Sequence, residues 1–195
     1  MSLSCHFLDL PIATLFKGMI ERRQFIPEYF FWISRSFPLT CIAVAISWAA
    51  FYSMKRHAST GALFFKLVGW SLPVAFSTKF LLKQFFGRAG PEVCLSSPSL
   101  CGFHWFNGGG DNDSFPSGHM TIATVAMLAL WRFYPRWRFL YVTFLALLAA
   151  ALIIFDFHFL SDVIAGFIVG LIVDNLTYRA LGESSDLKTG KSTSA

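Results

Sequence analysis

Apolar runs that carry few formal charges, each about as long as a bilayer is thick, recur along this chain and limit its fold more than any other feature. Ser36 to Met54 contains no Asp, Glu, Lys or Arg. Gly61 to about Leu82 forms a second run, with Lys66 near one end, where its stem can snorkel, and Lys79 and Lys83 one helical turn apart at the other. His119 to Tyr134, Arg138 to Phe157 and Val163 to about Tyr178 supply three more, and Pro135 separates the third span from the fourth. Hydrocarbon offers no partner for a backbone N–H or C=O, so each run predicts a helix. With 195 residues, 55% of them hydrophobic and 14% charged, the expected fold is one all-α integral-membrane bundle of five to six transmembrane helices. No second domain fits.

The segments between the runs set the organisation. Residues 1–35 mix apolar residues with Lys17, Glu21, Arg22, Arg23, Glu28 and Arg35 and are interrupted by Pro11 and Pro27, the pattern of an interfacial amphipathic segment. A crossing by residues 7–34 would instead make the sixth span. Residues 36–181 form the membrane-embedded domain. Within it, residues 86–117 are a loop rich in Gly, Pro, Ser, Asn and Asp that must be aqueous or packed on the bundle. Residues 182–195 read as a polar, disordered tail. The N-terminus lacks the features of a cleaved signal peptide, so Met1 onward is read as mature protein.

The net charge of +5 does not point to nucleic acid, because the basic residues lie in short clusters between apolar runs and no nucleic-acid motif accompanies them. Threading the spans alternately gathers Lys55, Arg56, Arg132, Arg136, Arg138 and Arg179 on one face, which the positive-inside rule makes cytoplasmic. The 86–117 loop then faces the periplasm or a lumen. There Cys94 and Cys101, flanking six residues, either bridge or remain thiols, while Cys5 and Cys41 read as small apolar residues. The cysteines and histidines have no zinc-like spacing, so no metal is expected.

Three polar clusters interrupt the apolar pattern, all at span ends on that same face: KQFFGRAGP (Lys83 to Pro91), SFPSGHM (Ser114 to Met120) and HFLSD (His158 to Asp162). A titratable group in such a place is costly and marks a site by default. Pro116 and Ser117 open a helix whose first amides and positive dipole end favour an anion, and Gly118 lets a ligand approach the backbone. His119, in the first turn, suits proton delivery to a leaving oxygen. His158 and Asp162, four apart, share one helix face, where a carboxylate fixes the imidazole tautomer and raises its nucleophilicity. Lys83 and Arg88 supply charge for phosphoryl oxygens.

From Lys79 to Gly166 the chain resembles the type 2 phosphatidic acid phosphatases, membrane relatives of the vanadium haloperoxidases. That family carries Lys, six residues and Arg-Pro, then Pro-Ser-Gly-His, then Ser-Arg, five residues, His, three residues and Asp. Pro116 to His119 and the pair His158 and Asp162 match it, followed by a Val-Ile-Ala-Gly run. Gly90 stands where the family has its first arginine, and Ala151 and Leu152 where it has Ser-Arg. Asp156, two residues before His158, adds an anion, and Arg22, Arg23 and Arg35 are candidates to replace the missing cations. The resemblance implies a cofactor-free phosphatase acting on a lipid-linked phosphate or diphosphate. In it His158 attacks phosphorus, His119 protonates the leaving oxygen, Asp162 orients His158, and Lys83, Arg88, Ser117 and Gly118 hold the phosphoryl group. Two alternatives stay open: a phosphotransferase using the same site, and a degenerate, non-catalytic binder of lipid headgroups.

Overall fold

The computed structural model describes residues 8–20, 36–54 and 60–189. Among the described residues seven α-helices follow one another: α1 (Leu10–Ile20), α2 (Ser36–Met54), α3 (Thr60–Phe86), α4 (Pro91–Ser96), α5 (Gly118–Phe133), α6 (Arg138–Ile154) and α7 (Leu160–Thr189). All five expected spans are helices. By length and composition α3, α6 with the turn from Pro135, and α7 to Leu181 are long and apolar enough to cross a membrane. α2 and α5 are shorter. The chain is an all-helical membrane bundle, as its apolar runs require.

α3, α5 and α7 pack on one another at the centre, α2 lies against α3, and α6 against α5 and α7. Leu72 and Ala75 of α3, Val125 of α5 and Val173 of α7 form the buried meeting point. Close approach of α5 and α7 depends on two glycines one turn apart. A Cβ on Gly166 would stand 2.5 Å from the Ser117 carbonyl oxygen, and one on Gly170 would stand 2.6 Å from Thr124 Cβ. Small residues at such a spacing bring membrane helices together, because packing replaces the absent hydrophobic drive. The outer side of α7 carries Ile164, Ile168, Ile172 and Leu176 at four-residue intervals, all exposed, as suits a face against lipid.

Three differences from the sequence reading bear on the site. α3 runs on to Phe86, which puts both Lys79 and Lys83 on its last turns. α7 begins at Leu160, so His158 precedes the helix instead of riding on it. Its backbone stays helical to Thr189, past Gly182, where the polar tail was expected to begin; residues 190–195 lie outside the described residues. Near the N-terminus, α1 contacts α4 and α6 and buries Ala13 beside Ala89, Cys94 and Phe159. Arg22, Arg23 and Arg35 lie outside the described residues.

Candidate functional site

Three chain reversals bring the polar clusters to one rim. Ser117 caps α5, its Oγ accepting from the Met120 amide, so that Gly118 and His119 occupy the first two helical positions. The first-turn amides of a helix point toward its N-terminal end. α6 ends in a wrap in which the Phe157 and His158 amides both donate to the Leu152 carbonyl, at 3.0 and 3.1 Å. Asp156 makes that wrap possible by taking φ of 51°, a left-handed conformation that Asp tolerates better than most residues. Its place next to His158 therefore has a backbone reason. The Ser117 amide donates to the Asp162 carbonyl at 3.0 Å and ties the start of α5 to the start of α7.

This arrangement brings the His119 and His158 rings together with centroids 6.3 Å apart and their planes inclined at 60°. His158 is buried, and its Nδ1 lies 3.9 Å from Asp162 Oδ2, too far for the direct hydrogen bond expected of an i, i+4 pair. The helix starts two residues after His158, and Ser114 fills the gap. Ser114 Oγ donates to Asp162 Oδ2 at 2.6 Å and lies 3.3 Å from His158 Nδ1. With the hydroxyl proton given to the carboxylate, Oγ accepts from Nδ1–H, which leaves the Nε2 lone pair free. Burial holds the His158 imidazole well below the ordinary histidine value; Lys83, His119 and Arg88 push the same way, and a backbone hydrogen bond at Ser114 opposes them. That direction favours the neutral imidazole.

The cations are distributed differently from the expectation. Lys83 stands beside the site, with Nζ 3.1 Å from Asp113 Oδ2. Lys79, one turn earlier, is buried against the start of α5, where a Cβ on Gly118 would come within 3.0 Å of its Nζ. Arg88, expected to hold phosphoryl oxygens, is 1% exposed and turned onto carboxylates. Its Nη1 donates to Asp162 Oδ1 at 2.5 Å and its Nη2 to Asp9 Oδ2 at 2.7 Å. Ser117 is also fully buried, with its amide and its hydroxyl both engaged. Leu152, at the position of a family arginine, packs in the apolar core with Met120 and Val163.

Sequence reasoning missed Ser114, Ser161 and Asp9 and left Lys79 outside the site set. Asp9 did carry a signal, a lone acid in the apolar stretch HFLDLPIATL. Cys94 and Cys101 are joined as a disulfide on the loop that carries Arg88.

An all-helical membrane bundle with two histidines facing across a rim of lysines defines a class, and residues 64–186 match the PAP2 superfamily. The chain belongs to that family. Among curated relatives it is 33% identical over 97 residues to a lipid A 1-phosphatase of Rhizobium johnstonii, covering 50% of this chain and 39% of the relative. It is 33% identical over 90 residues to a lipid A 1-phosphatase of Rhizobium etli, covering 46% of this chain and 38% of the relative. The match therefore spans about two fifths of the length of these relatives. No solved structure matches.

Proposed function

We propose that this protein is a lipid phosphatase that removes a phosphoryl group from a lipid-linked phosphate through a phosphohistidine at His158. The observation that carries the reading is the pair of imidazoles 6.3 Å apart, one backed by Ser114 and Asp162. A phosphoryl group between the rings meets Nε2 of a neutral His158. The Nε2–P bond forms as the P–O bond to the lipid breaks, and His119, entering as imidazolium, gives its proton to the departing oxygen. Neutral His119 then takes a proton from water, which attacks the phosphohistidine and releases inorganic phosphate. Lys79, Lys83 and the amides of Gly118 and His119 hold the phosphoryl oxygens. Arg88 acts behind the nucleophile, on Asp162.

A lipid substrate is supported by a cavity of about 520 Å³ between α5, α6 and α7, lined by aliphatic and aromatic side chains. It begins at Met120 and Leu160, next to the two histidines, and reaches Trp131, eleven residues along α5 or about 16 Å away. An alkyl chain lying there leaves its phosphate at the rim. The names of the two relatives favour a glycolipid phosphate of the lipid A 1-phosphate kind. The rim faces the periplasm or a lumen in this reading, supported by Arg132, Arg136, Arg138 and Arg179 at the opposite helix ends and by the Cys94–Cys101 bridge at the rim.

The test is phosphate release by purified protein from a panel of lipid phosphates in mixed micelles, beside His158→Ala. Release that the substitution abolishes supports the reading. Release by the variant at the wild-type rate rejects it, and a panel with no release at all favours a protein that binds headgroups without turnover.

A further inference from the structure

Asp9 lies in the N-terminal segment, far from every motif, yet it is 2% exposed and fully engaged at the back of the site. Its Oδ1 accepts from the Ser161 amide at 3.1 Å, and its Oδ2 accepts from Ser161 Oγ at 2.6 Å and from Arg88 Nη2 at 2.7 Å. Arg88 in turn donates to Ser161 Oγ at 2.6 Å and to Asp162 Oδ1. Asp162 Oδ2 accepts from the Phe159 amide at 3.0 Å and from Ser114 Oγ, which reaches His158. An unbroken hydrogen-bonded path thus joins residue 9 to the imidazole. Burying an arginine between two carboxylates is costly unless every group is satisfied, and here each carboxylate takes several donors.

We infer that Asp9 is a positioning residue, which through Arg88 and Ser161 sets the orientation of Asp162 and hence of His158, and that the segment around α1 is part of the catalytic apparatus. With Asp9 in place, one guanidinium is shared between two anions. Without it, Arg88 turns its whole charge and both donor groups on Asp162, which weakens the acceptor available to Ser114. The charged and titratable groups around His158 are Lys79 and Lys83 from α3, Arg88 and Ser114 from the 86–117 loop, His119 from α5, and Asp156 and Asp162 from the flanking turn and α7. Removing the Asp9 anion makes this field more positive, and protonation of His158 moves to lower pH.

The inference rests on the reading of His158 as the nucleophile, so the experiment separates the two. With wild-type protein, His158→Ala and Asp9→Asn, kcat, KM and the pH profile are measured on a lipid monophosphate, and the His158 ring nitrogens are titrated by ¹⁵N NMR in detergent. Asp9→Asn is expected to lower kcat about tenfold, the scale on which groups behind a reactive ligand act, with KM within about twofold. The acid limb and the NMR midpoint both shift to lower pH. Loss of packing alone would lower the active fraction without moving either one. If Asp9→Asn does not fold, Ser161→Ala removes the hydroxyl that Asp9 and Arg88 share, leaving the direct Asp9–Arg88–Asp162 contacts in place, and is expected to lower kcat about threefold with a smaller shift in the same direction. An unchanged kcat and pH profile in a folded variant overturns the inference while leaving the phosphatase reading intact. If no wild-type release depends on His158, that reading fails, and the NMR midpoint alone decides whether Asp9 acts on His158.

Discussion

The three-residue chain His158–Ser114–Asp162 determines what the site can do, because it selects which ring nitrogen is free. Ser114→Ala removes the bridge and leaves a buried carboxylate oxygen short of a donor. It is expected to reduce kcat about tenfold, equivalent to about 1.4 kcal/mol, with KM little changed, as steady-state kinetics will show. The depressed His158 value has a definite sign. Its imidazole stays neutral as pH falls through the ordinary 6.5, so the acid limb of kcat/KM is expected below 6.5. In the unfolded chain the same group protonates near 6.5, and the unfolded state then binds the extra proton. The contribution of His158 to stability is present above 6.5 and declines below it, measurable as a falling melting temperature. For Lys79→Ala, a rise in KM for the lipid phosphate of about tenfold is expected, from loss of one cation near the phosphoryl oxygens. Of this site, His119, His158 and Asp162 were legible because they lie in short motifs. Ser114 and Asp9 were not. They meet Asp162 and Arg88 across 48 and 79 residues of chain, and no local spacing encodes such a meeting.

At the scale of elements, the apolar runs located the helices well, since hydrocarbon forces each run to satisfy its own backbone. The ends were harder. His158 and Asp162 were read as one helix face, but Asp156 turns the chain out of α6 and α7 starts only at Leu160. A helix-period argument across a helix start brings the two residues near each other and gets the contact between them wrong. The α5–α7 contact supplies a prediction of its own. Gly170→Val places a branched side chain against Thr124 Cβ and the Thr121 carbonyl oxygen, which would stand 2.6 and 2.9 Å from the new Cβ. Such overpacking is expected to destabilise the bundle by about 1–3 kcal/mol, read as a lower thermal transition in detergent. Because Gly166 rests on the Ser117 carbonyl, Gly166→Ala is expected to act closer to the chemistry. It moves the start of α5, and with it His119, and should lower kcat more than it lowers the melting temperature.

For the whole molecule, fold class and family were legible, whereas the disposition of cations was not. The sequence reading assigned Arg88 to phosphate as the cation two positions before Gly90, but the folded chain commits it to two buried carboxylates, while Lys79 and Lys83 lie on the last turns of α3. The proposed orientation in the bilayer rests on charge at the two ends. In a background lacking Cys5 and Cys41, Phe106→Cys at the exposed tip of the loop is expected to react with a membrane-impermeant thiol reagent in intact cells. Arg179→Cys should react only after permeabilisation. The most direct test of the central claim, that the imidazole at the start of α5 and the imidazole in the turn before α7 share one phosphoryl group, is rapid acid-free quenching with a ³²P-labelled lipid phosphate, followed by mapping of the label. Base-stable, acid-labile phosphate on His158 of the wild-type protein, absent from His158→Ala, is the predicted result. Turnover of the lipid with no label on His158 at any time point would contradict it.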